Sequence, residues 1–221
     1  MASHSVEAAT RKRTLRARPE RLNKHQQKTQ ATKLRLLKAA LRIFTRDGFE
    51  AARIDDIAAA AGHTRGAFYA HFSTKEELFL ALIEQESSRH GKVVGAMLRK
   101  CKTEKERMDS LREYYASLLA DKKWAILVIE FKLYALRHGN LRARLADAHR
   151  QVRTIGKPEV ERLLPAALEQ PAALREVKRI TLEALLTGLS LESAYDPKRV
   201  SEDTAESILR QAFDMAQKFS A

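Results

Sequence analysis

The sequence predicts an all-α fold, a small three-helix unit near the N-terminus followed by a larger helical domain. Three observations predict it. Eight glycines and five prolines are few for 221 residues, so helix breakers are scarce. Apolar residues recur at i, i+3, i+4 and i+7 through most of the chain. No stretch shows the polar–apolar alternation of a half-buried strand. A composition of 44% hydrophobic and 31% charged residues is that of a globular protein with a real core.

The elements follow in order. Residues 1–28 lack apolar periodicity and hold Arg11, Lys12, Arg13, Arg16, Arg18, Arg21, Lys24 and Lys28, which reads as a disordered basic arm. A helix face then appears at Leu34, Leu37, Leu41 and Phe44 and stops at Gly48. Ile54, Ile57, Ala58 and Ala61 mark a short second helix, with Asp55 and Asp56 at its positive end and Gly62 placed for a left-handed cap. Thr64 is the cap of a third helix that turns Phe68 and Phe72 inward. Thr74-Lys75-Glu76-Glu77 reads as a capping box opening a long helix. Further helices are expected over about 75–100, 104–120, 122–138, 140–155, 158–168, 172–195 and 201–219, punctuated by Gly139, Gly156, Pro158, Pro165, Pro171 and Pro197.

Composition also excludes. One cysteine, Cys101, permits neither an intramolecular disulfide nor a cysteine-rich metal site, and no metal or cofactor is expected. The densest apolar run, Trp124 to Leu136, is broken by Glu130 and Lys132, and Met1 to Thr10 are polar without a signal-peptide pattern. A cytoplasmic protein with no membrane partner is expected. There is no phosphate loop, nucleophile elbow or HExxH helix, so an enzyme is not expected.

Charge is unevenly spread. Within a net charge of +13, the first 33 residues carry nine Lys and Arg against two acids, and residues 34–89 carry eight of each. A basic arm attracts nucleic acid and adds salt-dependent affinity, although a merely solvated leader has the same composition.

Two short helices joined by a glycine turn and packed on a preceding helix match the helix-turn-helix unit over about 53–72. Ala58 is small where the helices must cross. On the second helix Gly66, Ala67 and Ala70 oppose the two phenylalanines, and small residues let a helix approach base edges in a major groove. Tyr69 and His71 suit phosphate oxygens, Arg65 suits a guanine, and Lys75 a phosphate.

The run LRLLKAALRIFTRDGFEAARIDDIAAAAGHTRGAFYAHFSTKEELFLALIE resembles the N-terminal domain of the TetR family of bacterial transcriptional regulators. Its matching pieces are AALxxF, DGFEAA, IDDIAxxAG, TRGAFYxHF and STKEEL, at fixed spacing over about 50 residues. The resemblance implies a DNA-binding domain over 29–76, contacts from Thr64, Arg65, Gly66, Ala67, Tyr69, Ala70, His71 and Lys75, and a ligand-binding, dimerising domain over 77–221. Arg53 is a further DNA-binding candidate that could supply a charge where the family usually has a hydroxyl. Ala52, Arg53, His63 and Ala70 depart from the residues the family usually carries there.

Within 77–221, the helix at 122–138 is apolar nearly all round, as for one covered on one side and lining a cavity on another. Trp124, Val128, Phe131, Tyr134, Ala135 and His138 are candidates for pocket or core, with Tyr114, Tyr115 and Glu130 as polar handles. Glu130 needs a partner in such a helix. His90, His138 and His149 lack metal-ligand spacing and read as surface groups. Leu174, Val177, Thr181, Ala184, Gly188, Leu191 and Tyr195 form one narrow stripe, and Ala205, Ile208, Ala212, Met215 and Phe219 another. Such stripes suit a helix pair meeting its two-fold copy, and Ala184, Gly188, Leu191, Ile208, Ala212 and Met215 are the interface candidates. The expected function is a homodimeric repressor released from a palindromic double-stranded operator by a small-molecule effector. An activator, an effector-independent regulator and a nonspecific DNA-coating protein are the other readings.

Overall fold

The computed structural model describes residues 23–153, 161–164 and 169–218. Most of the basic arm, most of the helix expected over 158–168, and Phe219 lie outside them. The described elements are α1 (Lys24–Asp47), α2 (Ile54–Ala60), α3 (Arg65–Tyr69), α4 (Lys75–Leu98), α5 (Glu104–Ser117), α6 (Lys122–Arg137), α7 (Gly139–Arg153), α8 (Ala172–Tyr195) and α9 (Glu202–Lys218). A 3₁₀ turn, Leu118–Ala120, tightens the end of α5. No strand occurs among the described residues, and the expected fold class holds.

The first helix begins earlier than its apolar pattern. Asn23 and Gln26 close a reciprocal capping box, each side chain accepting the other's backbone N–H at 2.8 Å. Lys24 to Lys28, expected in the arm, are therefore helical. The buried face of α1 is Leu36, Leu37, Ala39, Ala40, Ile43 and Phe44, whereas Leu34 is exposed. A cap and helix-forming polar residues extend a helix without any apolar stripe, so periodicity missed its first three turns.

Two apolar clusters organise the chain. One joins α1, α2 and α3 to the start of α4, one face of α6 and Leu145 of α7. The other joins the end of α4 to α5, α8 and α9 around Leu98, Leu182, Leu209 and Phe213. Along α9 the inward residues are Ala205, Leu209, Phe213 and Ala216. Ala205 thus sits one stripe away from the face expected for it, because i, i+4, i+8 and i+11 point inward and Ile208, Ala212 and Met215 point outward.

Gly48 ends α1 at φ +80° and ψ 162°, a region closed to residues with a Cβ. A Cβ there would also lie 3.1 Å from Glu130 Oε2. Gly62 has φ +73° but open space around it. Gly48→Ala is expected to cost roughly 1–3 kcal/mol in backbone strain, plus the displacement of Glu130. Gly62→Ala is expected to cost only about 1–2 kcal/mol. Urea unfolding of the two variants should rank Gly48→Ala as the less stable.

Candidate nucleic-acid interface and cavity

The turn between α2 and α3 is closed by its own backbone. Gly62 N–H donates to the Ala59 carbonyl and His63 N–H to the Ala58 carbonyl, each at 2.9 Å, a Schellman closure. Arg42 of α1 donates to the Ala60 carbonyl at 3.2 Å, placing a cation on the negative end of α2. Ala58 is fully buried at the crossing. Thr64 Oγ1 accepts from Ala67 N–H at 3.3 Å and starts α3. Phe68 and Phe72 are buried beneath it with ring centroids 5.9 Å apart.

With those rings inward, α3 turns a shallow face outward. Thr64, Arg65, Gly66, Tyr69 and Ala70 are exposed, and Ala67 and His71 are half-buried beside them. A Cβ on Gly66 would meet nothing closer than Thr64 Oγ1 at 3.8 Å. Arg65 lies across the face, donating to Asp55 at 3.2 Å and to the Tyr69 hydroxyl at 3.3 Å. Arg53 is exposed at the start of α2, without a capping hydrogen bond of its own. Burial, then Lys33 and His63, hold His71 below the ordinary imidazole value of 6.5.

Lys75, expected to meet a phosphate, is half-buried in the free protein. Its ammonium turns inward, donating to the Glu50 and Ala52 carbonyls at 2.7 and 3.1 Å over the Phe49 ring. In the free protein two loop carbonyls and an aromatic face take up its donors. The capping box beside it is also displaced by one residue. Thr74 Oγ1 accepts from Glu77 N–H, while Glu77 reaches back to Ser73 N–H at 2.7 Å.

A cavity of about 500 Å³ opens in the second half of the chain, bordered by His90, Tyr114, Trp124, Val128, Leu186 and Ser190 among others. An adjoining hollow shares His90, Trp124 and Val128. Of the pocket candidates and polar handles, Tyr114, Trp124 and Val128 therefore lie together. Glu130, Phe131 and Tyr134 do not join them. Glu130 accepts from Phe49 N–H at 2.8 Å, the donor its burial required. Phe131 packs between Phe49 and Phe79, with centroids 5.2 and 4.4 Å away. Tyr134 donates to Glu76 at 2.6 Å, and this bond, with burial, pushes the phenol up to about 12. The cause is the face of α6: Trp124 and Val128 lie on the stripe that borders the cavity, whereas Glu130, Phe131 and Tyr134 lie on the side that packs on the N-terminal unit.

His90 is a cavity residue that reading it as a surface group missed. The signal was present, since Ile83, His90 and Val94 fall at i, i+7 and i+11 on the inward stripe of α4. His138 stacks on Tyr134 with centroids 4.0 Å apart, so it too is not a free surface group. Among the described residues no three His, Cys, Asp or Glu side chains cluster as metal ligands. No helix there is long and apolar enough to cross a membrane.

Comparison with known proteins agrees with this geometry. Residues 36–82 match the family described as bacterial regulatory proteins, tetR family, and residues 104–217 match the BetI-type transcriptional repressor C-terminal family. The HTH-type transcriptional regulator AcrR of Shigella flexneri is 40% identical over 70 residues, 32% of this chain and 33% of that protein. The HTH-type transcriptional repressor AcnR of Corynebacterium glutamicum is 41% identical over 59 residues, 27% of this chain and 31% of that one. These matches thus span about a third of each relative's length. Among solved structures, the fatty acid degradation regulator FadR of Bacillus halodurans superposes with a TM-score of 0.65 at 19% identity, over 85% of this chain and 95% of that one. FadR of Bacillus subtilis, solved with stearoyl-CoA, gives 0.62 at 15% identity, over 85% and 99%. At such identities the likeness is one of fold.

Two outcomes follow from the outward face. Gly66→Ala is expected to raise stability by roughly 0.5–1 kcal/mol, since a helical glycine gains a methyl in open space. The same methyl should lower duplex affinity at least tenfold by holding α3 off the base edges; unfolding and gel-shift titrations together read both signs. For His71, a nearby phosphate favours the imidazolium that Lys33 and His63 disfavour, so its pKa rises on binding. Between the free and bound values the complex takes up a proton. Affinity should then strengthen as pH falls through the bound value, by at most roughly tenfold per unit for each head, and level off below the free value. In His71→Asn the slope should vanish, as read by anisotropy of labelled duplex.

Proposed function

This chain belongs to the TetR family of bacterial regulatory proteins, DNA-binding regulators of transcription, and on that footing we propose that it is a homodimeric repressor that an effector releases from a palindromic operator. One observation carries the proposal. Gly66 and Ala70 face outward on a short helix whose phenylalanines are fixed inside, leaving Thr64 to His71 free to enter a major groove.

Dimerisation rests on the outer faces of α8 and α9. Val177, Ile180, Ala184, Gly188, Leu191 and Tyr195 are exposed on α8, and Ile208 and Met215 on α9, with Ala212 half-buried between them. Large apolar residues flanking small ones, continuous over two helices, fit a two-fold four-helix seam. Two copies would set two α3 helices one turn of duplex apart.

Release rests on α6, which reaches both regions. Trp124, Ala125 and Val128 border the cavity, while Glu130 holds Phe49 N–H and Tyr134 holds Glu76. A ligand that prefers a shifted α6 favours heads spaced wrongly for the operator, by its differential affinity for the two arrangements.

Nothing lies within 4 Å of a Cβ added at Gly188, which is exposed, so the side chain of Gly188→Arg starts in open space. It is expected to keep its helical dichroism, sediment as a monomer and bind DNA roughly 100-fold more weakly through lost avidity. Wild-type protein should select an inverted repeat from a random duplex pool. Selection indifferent to inverted repeats, or a dimeric Gly188→Arg, refutes the proposal; indifference would instead describe a DNA-coating protein.

A further inference from the structure

The cavity contains a polar chain whose hydrogens can be assigned. Arg89 Nη2 lies 3.3 Å from His90 Nε2, and His90 Nδ1 is hydrogen-bonded to the Tyr114 hydroxyl. A guanidinium has donors and no acceptor, so Nε2 is the accepting nitrogen of a neutral imidazole and Nδ1 carries the hydrogen. The other group near Nε2, Glu86, is 3.8 Å away, beyond hydrogen-bond reach, and already pairs with Arg89 at 2.7 Å. Burial and Arg89 hold His90 below its ordinary value, and burial pushes Tyr114 up to about 12. A neutral ring therefore donates to an intact phenol. The phenol's own hydrogen is left without an acceptor among the described residues.

A second hydroxyl borders the same cavity. Ser190 is fully buried, and its Oγ has no hydrogen-bond partner. The walls between are apolar: Trp124, Val128 and Leu186. We infer that the cavity binds a largely apolar molecule through an acceptor oxygen, a carbonyl or a carboxylate, held by the Tyr114 and Ser190 hydroxyls. The chain runs from a cation through the imidazole to the phenol, and each bond polarises the next, so an electron-rich oxygen is favoured over an ammonium. Two carboxylates stand nearby. Glu86 pairs with Arg89, and Asp121, which also borders the cavity, accepts from Trp124 N–H at 3.1 Å as the cap of α6. The selection of an acceptor oxygen therefore rests on the two hydroxyl donors rather than on net charge.

The inference rests on the cavity being the effector site, but its test is separable from that reading. Trp124, the single tryptophan of the chain, borders the cavity and reports occupancy by its own emission. The full-length protein is titrated with 2-decanone, decanoate and decylammonium, alone and in the Tyr114→Phe variant. That variant keeps the ring contacts to His90 and Tyr115, and dichroism checks its fold. The expected result is a saturable emission change with the ketone, the carboxylate or both, weakened roughly tenfold by Tyr114→Phe. Equal losses for the two identify a carbonyl ligand, and a larger loss for decanoate a carboxylate. Decylammonium should bind more weakly and ignore the substitution. Absence of saturable change with both acceptors, unaltered affinity in Tyr114→Phe, or tightest binding of decylammonium would overturn the inference. Operator affinity is measured in parallel. Binding through Tyr114 that leaves it unchanged removes the effector reading and leaves this assignment standing.

Discussion

The architecture depends on how Phe49 is held. Its ring lies 5.0 to 5.3 Å from those of Phe44, Phe79, Phe131 and Tyr134, most of them edge-to-face as ring quadrupoles prefer. Its N–H donates to Glu130, and the Lys75 ammonium sits over its face. One loop residue thereby joins α1, α4 and α6 through apolar contact, a charge-assisted hydrogen bond and a cation–π contact. The N-terminal unit is consequently not tethered by a linker. It shares a core with α6 and α7, and α4 runs unbroken from that core into the second one. A division after residue 76 would fall in the first turn of α4, so whatever moves α4 or α6 acts on α2 and α3 through packed side chains.

α6 carries opposite demands on its two faces. Trp124 and Val128 face a cavity and must leave room, while Leu127, Phe131 and Ala135 are buried in the N-terminal core. Gly48 is the complement to this arrangement. Only a residue without a Cβ both turns the chain at φ +80° and admits the Glu130 carboxylate so closely. The loop and the helix are therefore fitted to one another, since a shift of α6 must either carry the loop with it or leave a half-buried carboxylate unpaired, and the second is costly.

Much of this was legible in the residues. Spacing located α2 and α3, Gly62 announced the turn, and opposing Phe68 and Phe72 to Gly66 and Ala70 fixed which side of α3 faces out. Those features are local, set by adjacent side chains and backbone sterics. What escaped depends on partners distant in sequence. Lys75 finds carbonyls 23 and 25 positions earlier, and Glu130 finds an N–H 81 positions earlier. Glu130 was recognised as a charge needing a partner and Lys75 was assigned a phosphate, yet spacing says nothing about which group arrives. His90 escaped for another reason: an imidazole on an inward stripe is compatible with core, cavity or surface until the opposing Tyr114 is in place.

The electrostatics link the two proposed surfaces. Residues 34–89 balance eight basic against eight acidic groups, and the most forward cation of α3, Arg65, already pairs with Asp55. Both partners are more than 45% exposed, so water and salt screen the pair and a phosphate can displace it. Even so, a single head offers little net charge for counterion release, and α3 has only five residues. Shape complementarity from one such helix cannot supply much affinity by itself. Joining two heads rigidly makes the second contact intramolecular, which multiplies affinity without adding any charge. A neutral reading head thus gains most from a strong seam elsewhere, and the apolar face shared by α8 and α9 is the surface we propose for it.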